Sequence, residues 1–96
     1  MKPSEALDAK RVQLRGLVSR YGLSRPRVFG SVLTGTDTPL SDLDLLVDPS
    51  ETTTLFTLAK LQDEAEALLG FNVSVLTPDA LPASFRAKVL REAQAL

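Results

Sequence analysis

Val28-Phe29-Gly30-Ser31, a spacer over 32–41, and then Asp42-Leu43-Asp44-Leu45-Leu46-Val47 together decide how this chain folds. The first run ends on a pair of small residues, and the second opens on two carboxylates separated by a leucine. Side chains two apart on a strand point to one face. Asp42 and Asp44 are therefore expected side by side, with Leu43, Leu45 and Val47 turned to the core. Two carboxylates held that close repel each other unless a cation lies between them. Mg²⁺ suits such a pair, because it takes hard oxygen ligands and commonly arrives with substrate phosphates. Gly30-Ser31 is the expected seat for those phosphates. Glycine lets an anion approach the backbone, and N–H groups exposed at a turn or helix start favour negative charge.

Taken singly, Asp-x-Asp is most simply a solvated strand start, and Gly-Ser a turn. Here the two motifs flank one spacer, which holds Gly35 and Pro39, between two strand-like apolar runs. It is the conjunction that points to phosphate chemistry.

At these residues the chain resembles the nucleotidyltransferase superfamily that includes DNA polymerase β. More closely, it is similar to the minimal nucleotidyltransferases, short stand-alone forms found mainly in bacteria and archaea. The likeness is carried by Arg27-Val28-Phe29-Gly30-Ser31, by Ser41-Asp42-Leu43-Asp44-Leu45-Leu46-Val47, by the strand end from Val73 to Pro78, and by Leu90-Arg91-Glu92-Ala93. The resemblance implies a small mixed sheet of three or four strands with helices over it, in the α/β (α+β) class. It implies Mg²⁺-dependent transfer of AMP from ATP to a hydroxyl, with a small helical partner protein of the HEPN type as acceptor. Asp42 and Asp44 match the metal-binding catalytic pair. Gly30 and Ser31 match the triphosphate loop, and Ser41 stands where a capping-type hydrogen bond could fasten that loop.

Two positions depart from the pattern. Relatives commonly read Val-Asp-Leu-Val-Thr where this chain reads Val73-Ser74-Val75-Leu76-Thr77, so Ser74 stands at the position of the third carboxylate. Serine is a weak neutral ligand and a poor proton acceptor, and general-base help is typically worth about 10²–10⁴-fold. Thr34 stands where relatives often place an arginine. Asp48 shares the strand parity of Asp44 but lies farther along, and Asp79 lies beyond Pro78. The alternative reading is therefore a catalytically degenerate antitoxin that neutralises its partner by contact.

Composition narrows the field further. The 96 residues show no internal repeat and fit one domain spanning 1–96; at this size about 60–70% of the unfolded surface can be buried. An apolar content of 44% suits a globular chain. Without cysteine or histidine, zinc-thiolate sites, thiol nucleophiles and Ser-His-Asp hydrolases are excluded. A net charge of −1 argues against direct nucleic-acid binding, which needs a basic face. No run approaches a membrane span, and Met1-Lys2-Pro3-Ser4-Glu5 lacks the apolar core of a signal peptide, so the expected location is the cytoplasm. A haloacid-dehalogenase phosphatase would place its Asp-x-Asp directly after an apolar strand, whereas Thr38-Pro39-Leu40-Ser41 reads as a loop. Metal-dependent glycosyltransferases need a longer nucleotide-sugar domain.

The periodicity predicts a helix from Pro3 with Leu7, Leu14, Leu17, Val18 and Tyr21 on one stripe, stopped at Gly22. A short strand at Arg27–Phe29, a brief helical turn at Val32-Leu33 and a strand from Leu43 to Val47 follow. Thr54 to Leu69 reads as a helix with Leu55, Leu58, Ala59, Gln62, Ala65, Leu68 and Leu69 inward. Phe71 to Leu76 alternates as a third strand. A last helix begins near Pro82, with Phe85, Val89, Ala93 and Leu96 on one side and Arg86, Lys88 and Arg91 on a face that is solvated or meets a partner. The expected order is αβαβαβα.

Overall fold

The computed structural model describes residues 2–30 and 42–96. Helix α1 (Pro3–Arg20) leads into β1 (Ser24–Phe29); β2 (Leu43–Asp48) follows, then α2 (Leu55–Leu69), β3 (Val73–Leu76), a 3-10 turn (Pro78–Ala80), α3 (Ala83–Glu92) and β4 (Gln94–Ala95). The strands form one mixed sheet in the order β3-β2-β1-β4. β2 runs parallel to β3, and β1 runs antiparallel to both β2 and β4.

The helix ends follow local chemistry. Pro3 occupies the first turn of α1, where a missing N–H costs nothing. At α2, Thr54 caps through a reciprocal pair: its Oγ1 accepts from Thr57 N at 3.3 Å, and Thr57 Oγ1 accepts from Thr54 N at 3.1 Å. The same helix stops at Gly70, which takes the left-handed conformation (φ +86°) and donates its N–H to Glu66 O at 2.8 Å.

The core lies between one face of the sheet and the two helices α1 and α2. Leu14, Leu17 and Val18 of α1 and Leu61, Ala65 and Leu69 of α2 close over Val28, Leu43, Leu45, Val47, Val73 and Val75. Each large side chain so buried contributes about 1.5–3 kcal/mol. On the opposite face of β2 stand Asp44, Leu46 and Asp48. Leu46 is fully buried there, outside the main cluster, so this face is apolar at its middle and acidic toward its ends.

Several sequence expectations change. In α2 the buried stripe is Leu61, Ala65 and Leu69, flanked by half-buried Leu58, Gln62 and Leu68, whereas Leu55 is 83% exposed and Ala59 is exposed. Periodicity sets the direction of a helical stripe, but coverage depends on what packs against it, and among the described residues no element covers the first turn. β1 begins at Ser24 rather than Arg27, through an irregular register between Ser24 and Arg27 in which Arg25 takes φ +50°. The two-residue β4 was not anticipated: it pairs Gln94 with Val28 and Ala95 with Arg27, and Leu96 N donates to Pro26 O at 3.0 Å. The turn expected at Val32-Leu33, together with Ser31, Thr34 and Ser41, lies outside the described residues. Among the described residues, no helix is long and apolar enough to cross a membrane.

Candidate active site

β2 is a central strand, and its register fixes what stands beside Asp44. Phe29 of β1 pairs with Asp44, and Asp44 pairs with Ser74 of β3. Directly paired residues on adjacent strands project from the same face, so Phe29, Asp44 and Ser74 form one row across three strands. The row is pinned from below, where Leu43 N donates to Asn72 O at 3.0 Å and Glu66 Oε2 accepts from Val73 N at 2.9 Å. The start of β2 is thus tied to the start of β3, which sets Asp44 opposite Ser74.

Gly30 completes the near side. It has φ +82°, a conformation that costs an L side chain about 1–2 kcal/mol. A Cβ on Gly30 would also lie 2.5 Å from Asp44 Oδ2. Glycine is therefore required here twice, by the backbone and by the carboxylate. Asp42 immediately precedes β2 and is exposed. Burial pushes the Asp44 carboxyl above its ordinary range, and the negative charge of Asp42 pushes it further the same way. The structure thus brings Gly30, Asp42, Asp44 and Ser74 together. Ser31 and Ser41 fall outside the described residues.

No third acidic side chain joins the pair: among the described residues there is no group of three or more acidic, histidine or cysteine side chains placed to hold a metal ion. Asp48 is occupied elsewhere. It accepts a close ion pair from buried Arg27 and a second contact from Arg25 Nε at 3.3 Å, while Arg27 Nε also donates to Arg25 O at 2.9 Å. At β3 the position beside Asp44 is a half-buried hydroxyl.

A cleft of about 470 Å³ opens from Gly30 and Phe29 toward α3, and Phe85, Lys88, Val89, Glu92 and Gln94 line its far wall. Sequence reasoning placed Phe85 and Val89 on one side of this helix but did not bring Lys88 or Gln94 to a cleft beside Gly30. The available signal was the helical spacing of Lys88 from Phe85 and Glu92, which puts all three near one edge.

Known proteins share this sequence pattern and fold. The model of the nucleotidyltransferase domain family matches residues 11–96. The protein adenylyltransferase MntA of Thermococcus cleftensis is 36% identical over 86 residues, which covers 90% of this chain and 84% of that protein. A candidate protein adenylyltransferase of Methanocaldococcus jannaschii is 32% identical over 77 residues, covering 80% and 83%. A solved structure of a candidate minimal nucleotidyltransferase superposes with a TM-score of 0.87 at 43% identity, over 97% of this chain and 95% of that one. A toxin–antitoxin structure with AMP-PNP shares the fold at 19% identity, with a TM-score of 0.73 over 91% of this chain and 69% of that one.

Proposed function

This chain belongs to the nucleotidyltransferase domain family, and on that footing we propose that it transfers AMP from Mg²⁺-ATP to a hydroxyl of a partner protein, releasing pyrophosphate. The observation that carries the reading is the row in which Asp44 lies between Phe29 and Ser74, its carboxyl against Gly30 and within reach of the charge on Asp42. Asp42 and Asp44 fit a hard divalent cation: they are oxygen donors, one partly desolvated, whose mutual repulsion a cation would relieve. Bound there, Mg²⁺ supplies charge neutralisation at the transferring phosphoryl group.

The residues of the chain then have separable tasks. Asp42 and Asp44 hold the ion. Gly30, lacking a side chain, leaves room for phosphate oxygens; by the family resemblance the Ser31 hydroxyl would donate to them and Ser41 would fasten the loop. The acceptor hydroxyl oxygen bonds to the α-phosphorus as the bond to the departing pyrophosphate oxygen breaks, and the hydroxyl proton passes to solvent water. The names of the relatives support a protein acceptor, for which a helical HEPN-type toxin is our choice.

Ser74 favours a second reading. With a hydroxyl rather than a carboxylate beside Asp44, the chain would act as an antitoxin that neutralises its partner by contact. Incubating the purified chain with labelled Mg²⁺-ATP and the product of the neighbouring gene separates the two. An added AMP on the partner, seen by mass spectrometry, is the expected result. A stable, neutralised complex without added AMP supports the second reading, and a chain that neither transfers AMP nor binds Mg²⁺-ATP overturns the first.

A further inference from the structure

Lys88 lines the same cleft as Gly30 and forms no ion pair among the described residues. Among the described residues no arginine lines this cleft, and five arginines are engaged elsewhere. Arg25 and Arg27 serve Asp48, Arg11 serves Asp8 at 3.1 Å, Arg15 donates to Leu96 O at 3.3 Å, and Arg86 donates to Leu81 O at 2.8 Å. Glu92 lies one helical turn beyond Lys88 on the same wall yet does not pair with it. α3 itself contributes no buried residue, so its charged side chains are not needed to hold the core.

We propose that Lys88 binds the terminal phosphates of the nucleotide at the mouth of the Gly30 cleft, making α3 a wall of the substrate site. The inference rests on the nucleotidyltransferase reading above and deepens it. A triphosphate laid against Gly30 brings strong negative charge beside two aspartates that already repel each other. An ammonium group on a flexible stem is suited to meet it as a point charge, with charge-assisted hydrogen bonds to phosphate oxygens. A lysine that merely solvates the helix would be indifferent to the nucleotide.

Calorimetric titration of Mg²⁺-ATP into the full chain tests this, alongside Lys88→Gln, Lys88→Arg and, as a control on α2, Lys60→Gln. Lys88→Gln is expected to bind about 10-fold more weakly, Lys88→Arg to stay near the parent affinity, and Lys60→Gln to match it. The thermal midpoint should not move, because Lys88 is exposed. Parent affinity in Lys88→Gln overturns the inference and leaves the nucleotidyltransferase reading standing. Equal losses in Lys88→Gln and Lys88→Arg also overturn it, since charge would then not be the cause. A parent chain that binds no Mg²⁺-ATP overturns both.

Discussion

Gly30 and Asp44 are packed so closely that a methyl group on the glycine would lie 2.5 Å from Asp44 Oδ2. Gly30→Ala therefore meets two separate penalties. The positive φ disfavours any side chain, and the clash pushes the carboxylate out of its row. The substitution is expected to cost about 1–2 kcal/mol from the backbone alone, measured by urea denaturation, and to weaken stabilisation by Mg²⁺-ATP. Adding Asp44→Ala removes the clash but not the backbone strain, so the double variant should recover only part of the lost stability. Stability equal to that of Asp44→Ala alone would show that φ at Gly30 is not strained.

Asp44 also makes stability depend on pH. Its carboxyl is raised above 3.8, first by burial and then by Asp42, so the fold prefers the protonated form. Between the unfolded pKa and the raised folded one, the native state holds more protons than the unfolded state, and stability falls as pH rises. The loss begins near pH 4 and is complete above the folded pKa. Denaturation of the metal-free chain across this range, compared with Asp44→Asn, should show the difference shrinking toward acid. On the proposed reading, in which Mg²⁺ binds only the folded, ionised pair, Mg²⁺ at neutral pH should stabilise the parent and not Asp44→Asn.

Arg27 and Asp48 hold the other end of the sheet. The Arg27 side chain is 11% exposed and that of Asp48 24%. Removing one partner of a buried pair strands the other charge, typically at 3–5 kcal/mol; Arg25 can still serve Asp48, so Arg27→Ala should cost about 2 kcal/mol. Urea midpoints measure this, and the Mg²⁺-dependent shift should be retained. A lost Mg²⁺ response would mean that Arg27 acts on the aspartate pair rather than on Asp48.

Much of this arrangement was legible because it rests on short-range rules. Alternation around Leu43, Leu45 and Val47 put Asp44 on the face away from the core, and the same rule for Val73 and Val75 put Ser74 beside it. Thr54 and Gly70 marked the limits of α2. What stayed hidden depends on tertiary contact. Gln94-Ala95 has no strand pattern and becomes one only by pairing with Val28 and Arg27. Arg25 shows no residue type that favours positive φ. Leu55 continues an apolar period into a turn that no described element covers. Lys88 reads as surface charge until α3 is seen to wall the cleft.

On the proposed transferase reading, Ser74 is the position that sets how much catalysis is retained. Its Cα pairs with that of Asp44 on the parallel neighbour strand, where strands lie about 4.8 Å apart. A carboxylate at this position would stand beside Asp44 and within the influence of Asp42. Ser74→Asp should therefore destabilise the metal-free chain through like-charge repulsion. Mg²⁺ should more than restore it by binding the folded state. The new carboxylate could also accept the proton of the attacking hydroxyl, and AMP transfer to the partner should rise by about 10²–10⁴-fold. Labelled-AMP incorporation and thermal midpoints with and without Mg²⁺ check both effects in the same samples. A gain in Mg²⁺-dependent stability without faster transfer would place Ser74 at a metal-ligand position but remove it as the missing base. If neither changes, Ser74 is an ordinary strand residue, and the degenerate-site reading loses the observation that favours it.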